Sequence, residues 1–435
     1  MIRRTILEWE RIPYGEDPQE LKSIPSRIAD RIAAVAAASP LAGRGGGGVI
    51  EHGRHALRAR GVVGVIAADN CALEILPKID FPGELAENTG NIRRRLVHML
   101  AVALDVNIDV GQVTALDFQR ETLLEILIRV FSEKLVNAVR QGMPRRYAAQ
   151  EDDLAALRGR LDVTRQFTTL AANPSWLACR FDALSPDIAL NRIMKAAVTR
   201  LICIARSADN QRRLRELAFV YADIAHVPAP ALRWGDVVLD RTNARWRELL
   251  SLAKLLLGER FQTTSAGGSN GFSLLFEMNV LFEEYVVRMI RRALSGTDLH
   301  VVSQGGRLFC LQTESGGLFQ TRPDILVKQG RKVIQVIDTK WKRIASRIDD
   351  TKQGVSQADV YQMMAYGRLY DCPQLMLLYP HHAGLLSEEG LQASHRVNSS
   401  DHRLDTATLD VATADGIAER LRCLAGRCSN KRSDA

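Results

Sequence analysis

The apolar residues of the chain change their spacing from one region to the next, and this spacing predicts different kinds of structure. Up to about residue 115 the apolar runs are short. Gly61–Ala67 and Leu73–Ile79 are typical of strands, and Pro77 fits the end of a strand better than its middle. The apolar residues between Ile92 and Leu104 predict a helix that closes a small β-rich region.

Between about residues 120 and 260 the pattern is that of amphipathic helices. In Glu121–Arg140 the apolar side chains recur every three or four residues, which places them on one face of a helix. Similar spacing predicts helices over Asn191–Ser207, Arg212–Ile224 and Arg245–Leu257. Leu157–Val163 is a basic segment flanked by turn signals. This middle region is therefore predicted to be mainly helical.

After about residue 270 helices and strands alternate. Phe276–Leu294 predicts a long helix. The next elements predicted are strands at Val301–Ser303, Leu308–Leu311, Ile325–Val327 and Val333–Ile337, a helix over Ala358–Tyr370 and a strand at Leu375–Tyr379. This order is typical of a mixed α/β domain.

The predicted fold class is α+β with several domains. We expect a β-rich N-terminal domain over residues 1–118, a mainly helical middle domain over 119–262 and a C-terminal α/β domain over 263–435. The glycine-rich segment 43–48 and the small, polar segment 263–271 are predicted to be linkers or exposed loops.

Composition narrows the class of protein. A hydrophobic fraction of 46% and a charged fraction of 25% exclude a disordered or collagen-like chain. The formal net charge of +8 fits a polyanionic partner without requiring one. The seven cysteines include no Cys-x-x-Cys pair, which argues against a disulfide framework and a thiolate zinc site. Since no apolar run could span a membrane and no signal peptide is recognisable, we expect a cytoplasmic protein with no membrane contact.

The segment from Arg322 to Lys342 carries the clearest candidate chemistry. Asp324 stands at the start of one predicted strand, Gly330 turns the chain, and the second strand stays apolar until Asp338. Alternate residues of a strand project from the same face, so Asp338 and Lys340 lie together. The hairpin can bring Asp324 beside them, which makes a small polar centre at one edge of the predicted sheet.

Two carboxylates that converge at a strand end repel each other, and a divalent cation relieves this repulsion. Their oxygens, with the backbone carbonyl of Thr339, suit Mg²⁺, with Mn²⁺ as an alternative. Such an ion lowers the pKa of a bound water and offsets charge on a phosphodiester, while Lys340 could orient the water or stabilise the pentavalent phosphorus. The residues alone leave two alternatives open: Asp324 as a turn residue, and Asp338 with Lys340 as a solvated surface pair.

Other candidate metal ligands lie before and after this segment. Glu283, which follows an apolar position of the predicted helix, could lean towards the sheet edge as a third carboxylate. Glu277 and Glu284 are better explained as an exposed acidic face. His381 and His382 are expected at the surface, because two adjacent histidines seldom chelate one ion well.

Gln362 and Tyr366 are four residues apart on the predicted helix after the second aspartate, so they share one helical face. Both side chains can donate hydrogen bonds to a phosphate or to a bound water. The alternative is an ordinary amphipathic helix whose apolar residues pack in the core.

Four blocks of sequence occur in the order found in a known nuclease family. They are Leu73–Ile79, Leu157–Val163 with Asn191–Ile193, Phe282–Tyr285, and the segment from Asp324 through Tyr366. The order of an acidic helix, Pro-Asp, Asp-x-Lys and Gln-x-x-x-Tyr resembles the PD-(D/E)xK nuclease superfamily. More narrowly, the chain is similar to the McrC family, the nuclease subunits of McrBC 5-methylcytosine restriction systems. The resemblance implies a restriction-endonuclease-like fold for the C-terminal domain.

The resemblance also implies partners. McrC-like proteins act with McrB, a GTP-hydrolysing AAA+ protein that recognises modified DNA and translocates. We therefore expect an McrB-like AAA+ GTPase that docks on the N-terminal domain, and double-stranded, methylated DNA as the substrate. The chain has no Gly-x-x-x-x-Gly-Lys-Ser/Thr phosphate loop, so we expect it to bind no nucleotide itself.

The function predicted from these observations is that of a Mg²⁺-dependent DNA endonuclease subunit that acts with a GTP-driven AAA+ translocase. The predicted catalytic residues are Asp324, Asp338, Lys340, Glu283, Gln362 and Tyr366, and the predicted metal ligands are Asp324, Asp338, Glu283 and Thr339. Two alternatives remain: a non-catalytic adaptor or activator of an AAA+ GTPase, and a stand-alone repair or defence nuclease.

Overall fold

The computed structural model describes residues 2–17, 20–39, 41, 48–68, 71–78, 85–106, 121–173, 175–258, 271–345, 350, 354–382, 384–385, 387–398, 400–411 and 416–425. The glycine-rich segment 43–48, apart from Gly48, and most of the predicted linker 263–271 lie outside the described residues. So do the predicted domain boundaries at 118/119 and 262/263. The chain forms two compact units, Met1–Ile126 together with Gly258–Ala435, and Leu127–Leu257.

Helices and strands are numbered here in chain order. The strands are β1 (Ile2–Leu7), β2 (Arg11–Pro13), β3 (Ile50–His52), β4 (Ala56–Ala59), β5 (Val62–Ala68), β6 (Cys71–Leu76), β7 (Arg146–Leu154), β8 (Arg160–Leu161), β9 (Leu177–Ser185), β10 (Gly271–Glu277), β11 (Leu299–Ser303), β12 (Phe309–Thr313), β13 (Gly316–Gln320), β14 (Ile325–Gln329), β15 (Lys332–Thr339), β16 (Gln374–Pro380), β17 (Gly390–Arg396) and β18 (Arg403–Leu409). The α-helices are α1 (Ser26–Ala37), α2 (Leu85–Leu104), α3 (Leu123–Arg140), α4 (Val163–Phe167), α5 (Ala189–Ile204), α6 (Ala208–Val220), α7 (Arg247–Leu257), α8 (Met278–Ala293), α9 (Gln357–Leu369) and α10 (Ile417–Ala425).

A four-stranded sheet joins the N-terminal part of the first unit to its C-terminal part. The strand order is β1-β6-β5-β10, with β1 parallel to β6 and the other neighbours antiparallel. Gly64 permits the pairing of β5 with β10, because its φ is +131° and a Cβ atom there would lie 1.8 Å from the carbonyl oxygen of Leu274. Helix α1 buries Ile32 and Val35 in a core that includes Leu275 of β10.

The two strands and the helix predicted for the N-terminal region are confirmed, and the structure adds α1, β1 to β4 and β10. The two predicted strands are β5 and β6, the predicted helix is α2, and Pro77 directly follows β6. Strand β10 was not predicted. Its residues Phe272–Phe276 are all buried, so they lack the alternation of a half-exposed strand and merge with the apolar residues of α8. The helix predicted over Phe276–Leu294 therefore begins only at Met278.

The second sheet of the first unit carries the segment with candidate chemistry. Its order is β11-β14-β15-β16-β18-β17, in which β15, β16 and β18 are parallel and the other neighbours are antiparallel. Helix α9 packs on this sheet, where Met363 lies in a core with Val336 and Leu375. The predicted strands, here β11, β12, β14, β15 and β16, are confirmed together with α9 and the mixed α/β character, whereas β13, β17, β18 and α10 were not predicted.

The second unit contains the predicted helices of the middle region and a sheet that was not predicted. Helices α3, α5, α6 and α7 correspond to the predicted segments, although α6 begins and ends four residues before its predicted bounds, and Trp246 is fully buried just before α7. The sheet has the order β7-β9-β8. Most of β7 (Arg146–Leu154) is exposed and polar, so its sequence has no apolar alternation from which a strand could be predicted.

The cysteines of the described ranges are free: Cys71, Cys179, Cys203, Cys310, Cys372 and Cys423. Among the helices in those ranges, none is both long enough and apolar enough to cross a membrane.

Candidate active site

The candidate site lies where β14 begins and β15 ends. The two strands are antiparallel, and the register that pairs Ile325 with Ile337 leads Asp324 alongside the end of β15. Oδ2 of Asp324 accepts hydrogen bonds from the backbone N (2.8 Å) and from Oγ1 (2.9 Å) of Thr339. Asp338 is only 2% exposed. The structure thus brings the two predicted aspartates to one largely buried strand end.

Lys340 supplies a positive charge at this strand end. Its Nζ lies 2.8 Å from Oδ2 of Asp338 and 3.5 Å from Oδ1 of Asp359 in the first turn of α9. Its backbone N donates a hydrogen bond to the carbonyl oxygen of Leu378 (2.9 Å), which extends the pairing of β15 with β16. Because Asp338 is buried, the pair is not the solvated surface pair that the sequence left open.

Glu283 approaches the two aspartates from α8. Its Oε1 accepts a hydrogen bond from Nε2 of Gln304 (2.9 Å), and Gln304 in turn accepts one from Arg322. Burial raises the pKa of Glu283, and the charges of Glu284 and of Asp338 raise it further against the effects of Gln304 and Arg322. Glu283 is therefore electrostatically part of the same site.

The neighbouring glutamates have other surroundings. Glu284 forms an ion pair with Arg288 one turn later on α8 (3.0 Å), and Glu277 is the last residue of β10, directly before the helix. Neither residue is fully exposed. Of these three acidic residues, Glu283 is the one whose charge interacts with those of Asp324 and Asp338, and Glu284 acts on Glu283.

Gln362 and Tyr366 lie on one face of α9, as predicted. Nε2 of Gln362 donates a hydrogen bond to the hydroxyl of Tyr366 (2.7 Å), and Tyr366 is almost completely buried. Burial raises the pKa of Tyr366, and the charges of Asp338 and Asp324 add to this effect. Tyr366 therefore lies within electrostatic reach of both aspartates.

The two aspartates carry more negative charge than their surroundings compensate. Burial, followed by repulsion from Glu283, raises the pKa of Asp324 to about 6. Burial, followed by repulsion from Asp324, raises the pKa of Asp338 to about 6. Burial alone would lower the pKa of Lys340, but the hydrogen bond and charge of Asp338 outweigh it, so this pKa is raised and the ammonium stays protonated at neutral pH.

The donor set fits a small divalent cation that prefers oxygen ligands. Two buried carboxylates that repel each other are stabilised by a positive charge between them, and Mg²⁺ commonly binds through one or two carboxylates, with water and substrate phosphates as its other ligands. Asp324 and Asp338 are such carboxylates, and Thr339 and Glu283 offer further oxygens nearby. Within the described ranges, no group of three or more His, Cys, Asp and Glu side chains is already arranged around a common point.

Three residues of the site were not identified from the sequence: Gln304, Arg322 and Asp359. Two sequence signals could have identified Asp359. It lies three residues before Gln362, and it follows Ser356, a residue type that caps helices. Oγ of Ser356 accepts a hydrogen bond from the backbone N of Asp359 (3.2 Å). Gln304 has no such signal, since it lies beyond the end of β11 with a φ of +47°.

The expectation that His381 and His382 lie at the surface is wrong. His382 is buried, with Nε2 2.9 Å from the carbonyl oxygen of Ile344, and His381 is half-buried, with Nδ1 3.0 Å from Oγ1 of Thr408. Both follow β16, and the backbone N of His381 donates to Leu409 at the end of β18. These polar partners, Thr408 of β18 for His381 and the carbonyl oxygen of Ile344 after β15 for His382, compensate the burial of the two imidazoles.

Comparison with known proteins relates the whole arrangement to restriction systems. The model of the family described as McrBC 5-methylcytosine restriction system components matches residues 57–380. The chain is 21% identical over 329 residues to the type IV methyl-directed restriction enzyme EcoKMcrBC of Escherichia coli (strain K12), an alignment that covers 73% of this chain and 92% of that protein.

Two solved structures share the fold. One is a refined half-complex from the tetradecameric assembly of Thermococcus gammatolerans McrB AAA+ hexamers with bound McrC, with 20% identity, a TM-score of 0.70, and coverage of 97% of this chain and 98% of that chain. The other is the cryo-EM structure of the Thermococcus gammatolerans McrBC complex, with 24% identity, a TM-score of 0.54, and coverage of 67% and 88%.

The family match covers well over half of the chain and includes Asp324, Asp338, Lys340 and Tyr366. It confirms the resemblance inferred from the four sequence blocks. The chain belongs to the family of McrBC 5-methylcytosine restriction system components.

Proposed function

We propose that this chain is the Mg²⁺-dependent DNA endonuclease subunit of a McrBC-like, modification-dependent restriction system. The observation that carries the proposal is the meeting of Asp324, Asp338 and Lys340 at one largely buried strand end. Family membership supplies the context of DNA restriction. In the proposal, the second sheet and α8 form a nuclease domain of the PD-(D/E)xK type.

The residues of this strand end divide into cation ligands and supporting groups. Asp324 and Asp338 would hold Mg²⁺ or Mn²⁺, assisted by Glu283 and by the carbonyl oxygen of Thr339. When bound, the ion supplies a lowered pKa for a coordinated water and partial neutralisation of the phosphodiester. Gln304 and Arg322 orient the carboxylate of Glu283, because Gln304 donates to that carboxylate and accepts from Arg322.

Lys340 is the group best placed to act on the phosphate. An ammonium has three hydrogen-bond donors. The Lys340 ammonium contacts Asp338 and, at a longer distance, Asp359. The other carboxylate oxygen of Asp359 forms an ion pair with Nζ of Lys342 (3.0 Å). A fixed positive charge beside the scissile phosphate stabilises the extra negative charge of the transition state. Gln362 and Tyr366 would support the site as hydrogen-bond donors to water or phosphate.

The partner in the proposal is an McrB-like AAA+ GTPase. The Thermococcus gammatolerans assembly that shares the fold contains McrB AAA+ hexamers with bound McrC. We propose that this chain docks on such a GTPase through its N-terminal part, binds no nucleotide itself, and cuts double-stranded methylated DNA that the partner selects. The formal net charge of +8 is compatible with that substrate.

Replacement of Asp338 tests the proposal. Full-length Asp338→Ala, mixed with the GTPase partner, GTP, Mg²⁺ and methylated DNA, should lose cleavage by about 10³-fold, since metal-assisted charge stabilisation is worth several kcal/mol. The matched control is Asp298→Asn, which removes an exposed charge before β11. Cleavage by the Asp338 variant at the wild-type rate would refute the assignment.

The same mixture separates the nuclease from an adaptor, a role that the McrB–McrC assembly favours as a second function. If the chain also activates its partner, the Asp338→Ala variant should still raise GTP hydrolysis as wild type does. A stand-alone nuclease would instead cut DNA equally well with and without the GTPase. Methylated and unmethylated DNA, each assayed with and without the partner, distinguish these outcomes.

A further inference from the structure

Trp341, the residue that follows Lys340, is held by three separate contacts. Its backbone N donates a hydrogen bond to Oδ1 of Asn279 (3.1 Å) in the first turn of α8. Its indole ring packs on Phe282 of the same helix, with 5.3 Å between ring centroids. Its Nε1 donates a hydrogen bond to Oε1 of Glu8 (2.8 Å), which lies directly after β1. The chain just beyond Lys340 is thus tied to two other elements of the unit.

Glu8 is a buried carboxylate directly after β1, the edge strand of the four-stranded sheet β1-β6-β5-β10, which is called the N-terminal sheet below. The residue is 3% exposed, and its backbone N donates to the carbonyl oxygen of Leu76 (2.8 Å). Oε1 also accepts a hydrogen bond from the backbone N of Lys78 (3.0 Å), two residues after β6, so one oxygen accepts hydrogen bonds from that segment and from Trp341. A buried carboxylate is costly, and an apolar side chain could fill the same space. The carboxylate is therefore best explained by the two donors that it connects.

The N-terminal sheet reaches the proposed active site by two routes. Strand β10 of that sheet continues directly into α8, which carries Glu283. From the other end of the sheet, Glu8 reaches Trp341, next to Lys340. The N-terminal sheet is therefore connected both to α8, which carries Glu283, and to the end of β15, where Lys340 lies. Movement of β1 and β6 relative to β10 would therefore change the position of Lys340 with respect to Glu283.

We propose that Glu8 is a positioning residue for Lys340. Glu8 acts through Trp341 and so couples the N-terminal sheet to the nuclease centre. The inference rests on the proposed function. A lysine side chain has many rotamers, so the position of its ammonium depends on how firmly its backbone is held. A displacement of about 1 Å at a reacting group can cost about 10²-fold in rate. Glu8 itself touches no reacting group.

Variants at the two ends of one hydrogen bond test this coupling in the full chain with its GTPase partner. Glu8→Ala removes the acceptor, and Trp341→Phe removes the donor but keeps a ring against Phe282. Each should lower the single-turnover cleavage rate constant about 10-fold. The double variant should be no slower than the slower single variant, because both changes remove the same contact. Glu8→Gln keeps an acceptor oxygen and should cut DNA within about 2-fold of wild type.

A matched control lies two residues away. Oε2 of Glu10 accepts a hydrogen bond from the backbone N of Leu7 (2.7 Å) in the same turn, whereas the hydrogen bond from Trp341 goes to Glu8. Glu10→Ala should therefore cut DNA as wild type does. Melting temperatures of all the variants show whether a slower variant is simply less folded.

Hydrogen exchange gives a readout that needs neither metal nor DNA. In Glu8→Ala and Trp341→Phe, the backbone amides of Lys340 and Trp341 should exchange faster, while those of β18 exchange as in wild type. Unchanged cleavage in both single variants, multiplying effects in the double variant, or a Glu8→Gln variant as slow as Glu8→Ala would overturn the proposal. If Asp338→Ala still cuts DNA while the exchange changes appear, the proposed function fails and the contact stands.

Discussion

Two buried groups of charges lie in the first unit, and their carboxylates are supplied with donors very differently. Glu74 of β6 is 2% exposed. Both of its carboxylate oxygens accept a hydrogen bond from Nε of Arg93, at 2.9 and 3.0 Å. Nη2 of Arg93 (2.6 Å), Oγ1 of Thr5 (3.1 Å) and the backbone N of Leu123 (2.9 Å) also donate to this carboxylate. A single acid thus meets a guanidinium and two neutral donors.

At the end of β15 the ratio of donors to carboxylates is reversed. Asp324, Asp338 and Glu283 are close enough to raise one another's pKa values, and Lys340 is shared with Asp359. We interpret the first group as one that stabilises the fold and, within the proposed function, the second as one that binds a cation. A carboxylate with a full set of donors is already stabilised, whereas crowded acids with too little positive charge gain most from an added cation.

The largest effect on stability is expected at the first group. Arg93→Met should lower the free energy of unfolding by about 3 to 5 kcal/mol, because it leaves the buried Glu74 carboxylate without its charged partner. Denaturant unfolding of the variant measures the change. Arg94→Met is the matched control, since Arg94 is the exposed neighbour on α2. Equal stability of the two variants would show that the pair is not structural.

After Asp338→Ala, the largest effect on catalysis is expected from replacement of Lys340. Lys340→Met should lower the single-turnover cleavage rate constant by about 10²- to 10³-fold, the usual cost of removing one group that stabilises transition-state charge. Lys332→Met, at the exposed start of the same strand, should leave the rate unchanged. If both variants cut alike, Lys340 has no catalytic role, and the contrast with the Arg93 pair would have to be explained by structure alone.

The core of the site could be predicted because it follows from local geometry. Alternation along β15 sufficed for Asp338 and Lys340, and four-residue spacing sufficed for Gln362 and Tyr366. Gln304 could not be predicted, since its position depends on a left-handed residue beyond β11 and on the packing of α8 against the sheet. The Glu8–Trp341 contact joins residues 333 positions apart, a distance at which sequence spacing carries no information.

The fold could be predicted where the periodicity was simple. Helices α3 and α5 to α7 have the spacing of amphipathic helices, and β5, β6 and β16 are short apolar runs. Strand β10 is buried throughout, and β7 is mostly exposed, so neither shows the alternation of a half-buried strand. Tertiary pairing, with β5 in one case and β9 in the other, determines these strands.

A smaller effect on the free energy of unfolding, of opposite sign to that of Arg93→Met, is expected from Asp324→Asn. This variant removes the charge of Asp324 but keeps its hydrogen bonds. In Asp324→Asn the amide oxygen can still accept from Thr339. The pKa of Asp324 is raised from 3.8 to about 6 by folding, so the stability it contributes is present below about pH 4 and is lost as the pH rises through 6.

In EDTA at pH 7.5, Asp324→Asn should therefore unfold with a free energy about 1 to 2 kcal/mol higher than wild type, and the gain should vanish near pH 4. Denaturant unfolding at both pH values measures the difference, with Asp298→Asn as the control for loss of an exposed charge. A variant that is less stable than wild type at both pH values would show that the charge of Asp324 is already compensated without a cation.

The smallest effect is expected at Tyr366, where α9 offers an internal control. In Gln362–Tyr366 the tyrosine is buried within electrostatic reach of the aspartates and the glutamine is half-buried, whereas Gln357–Tyr361 is an exposed hydrogen-bonded pair of the same residue types and spacing. Tyr366→Phe should slow cleavage about 3- to 10-fold, because loss of one neutral hydrogen bond costs about 1 kcal/mol. Tyr361→Phe should not change the rate. Equal rates for the two variants would restrict Tyr366 to core packing.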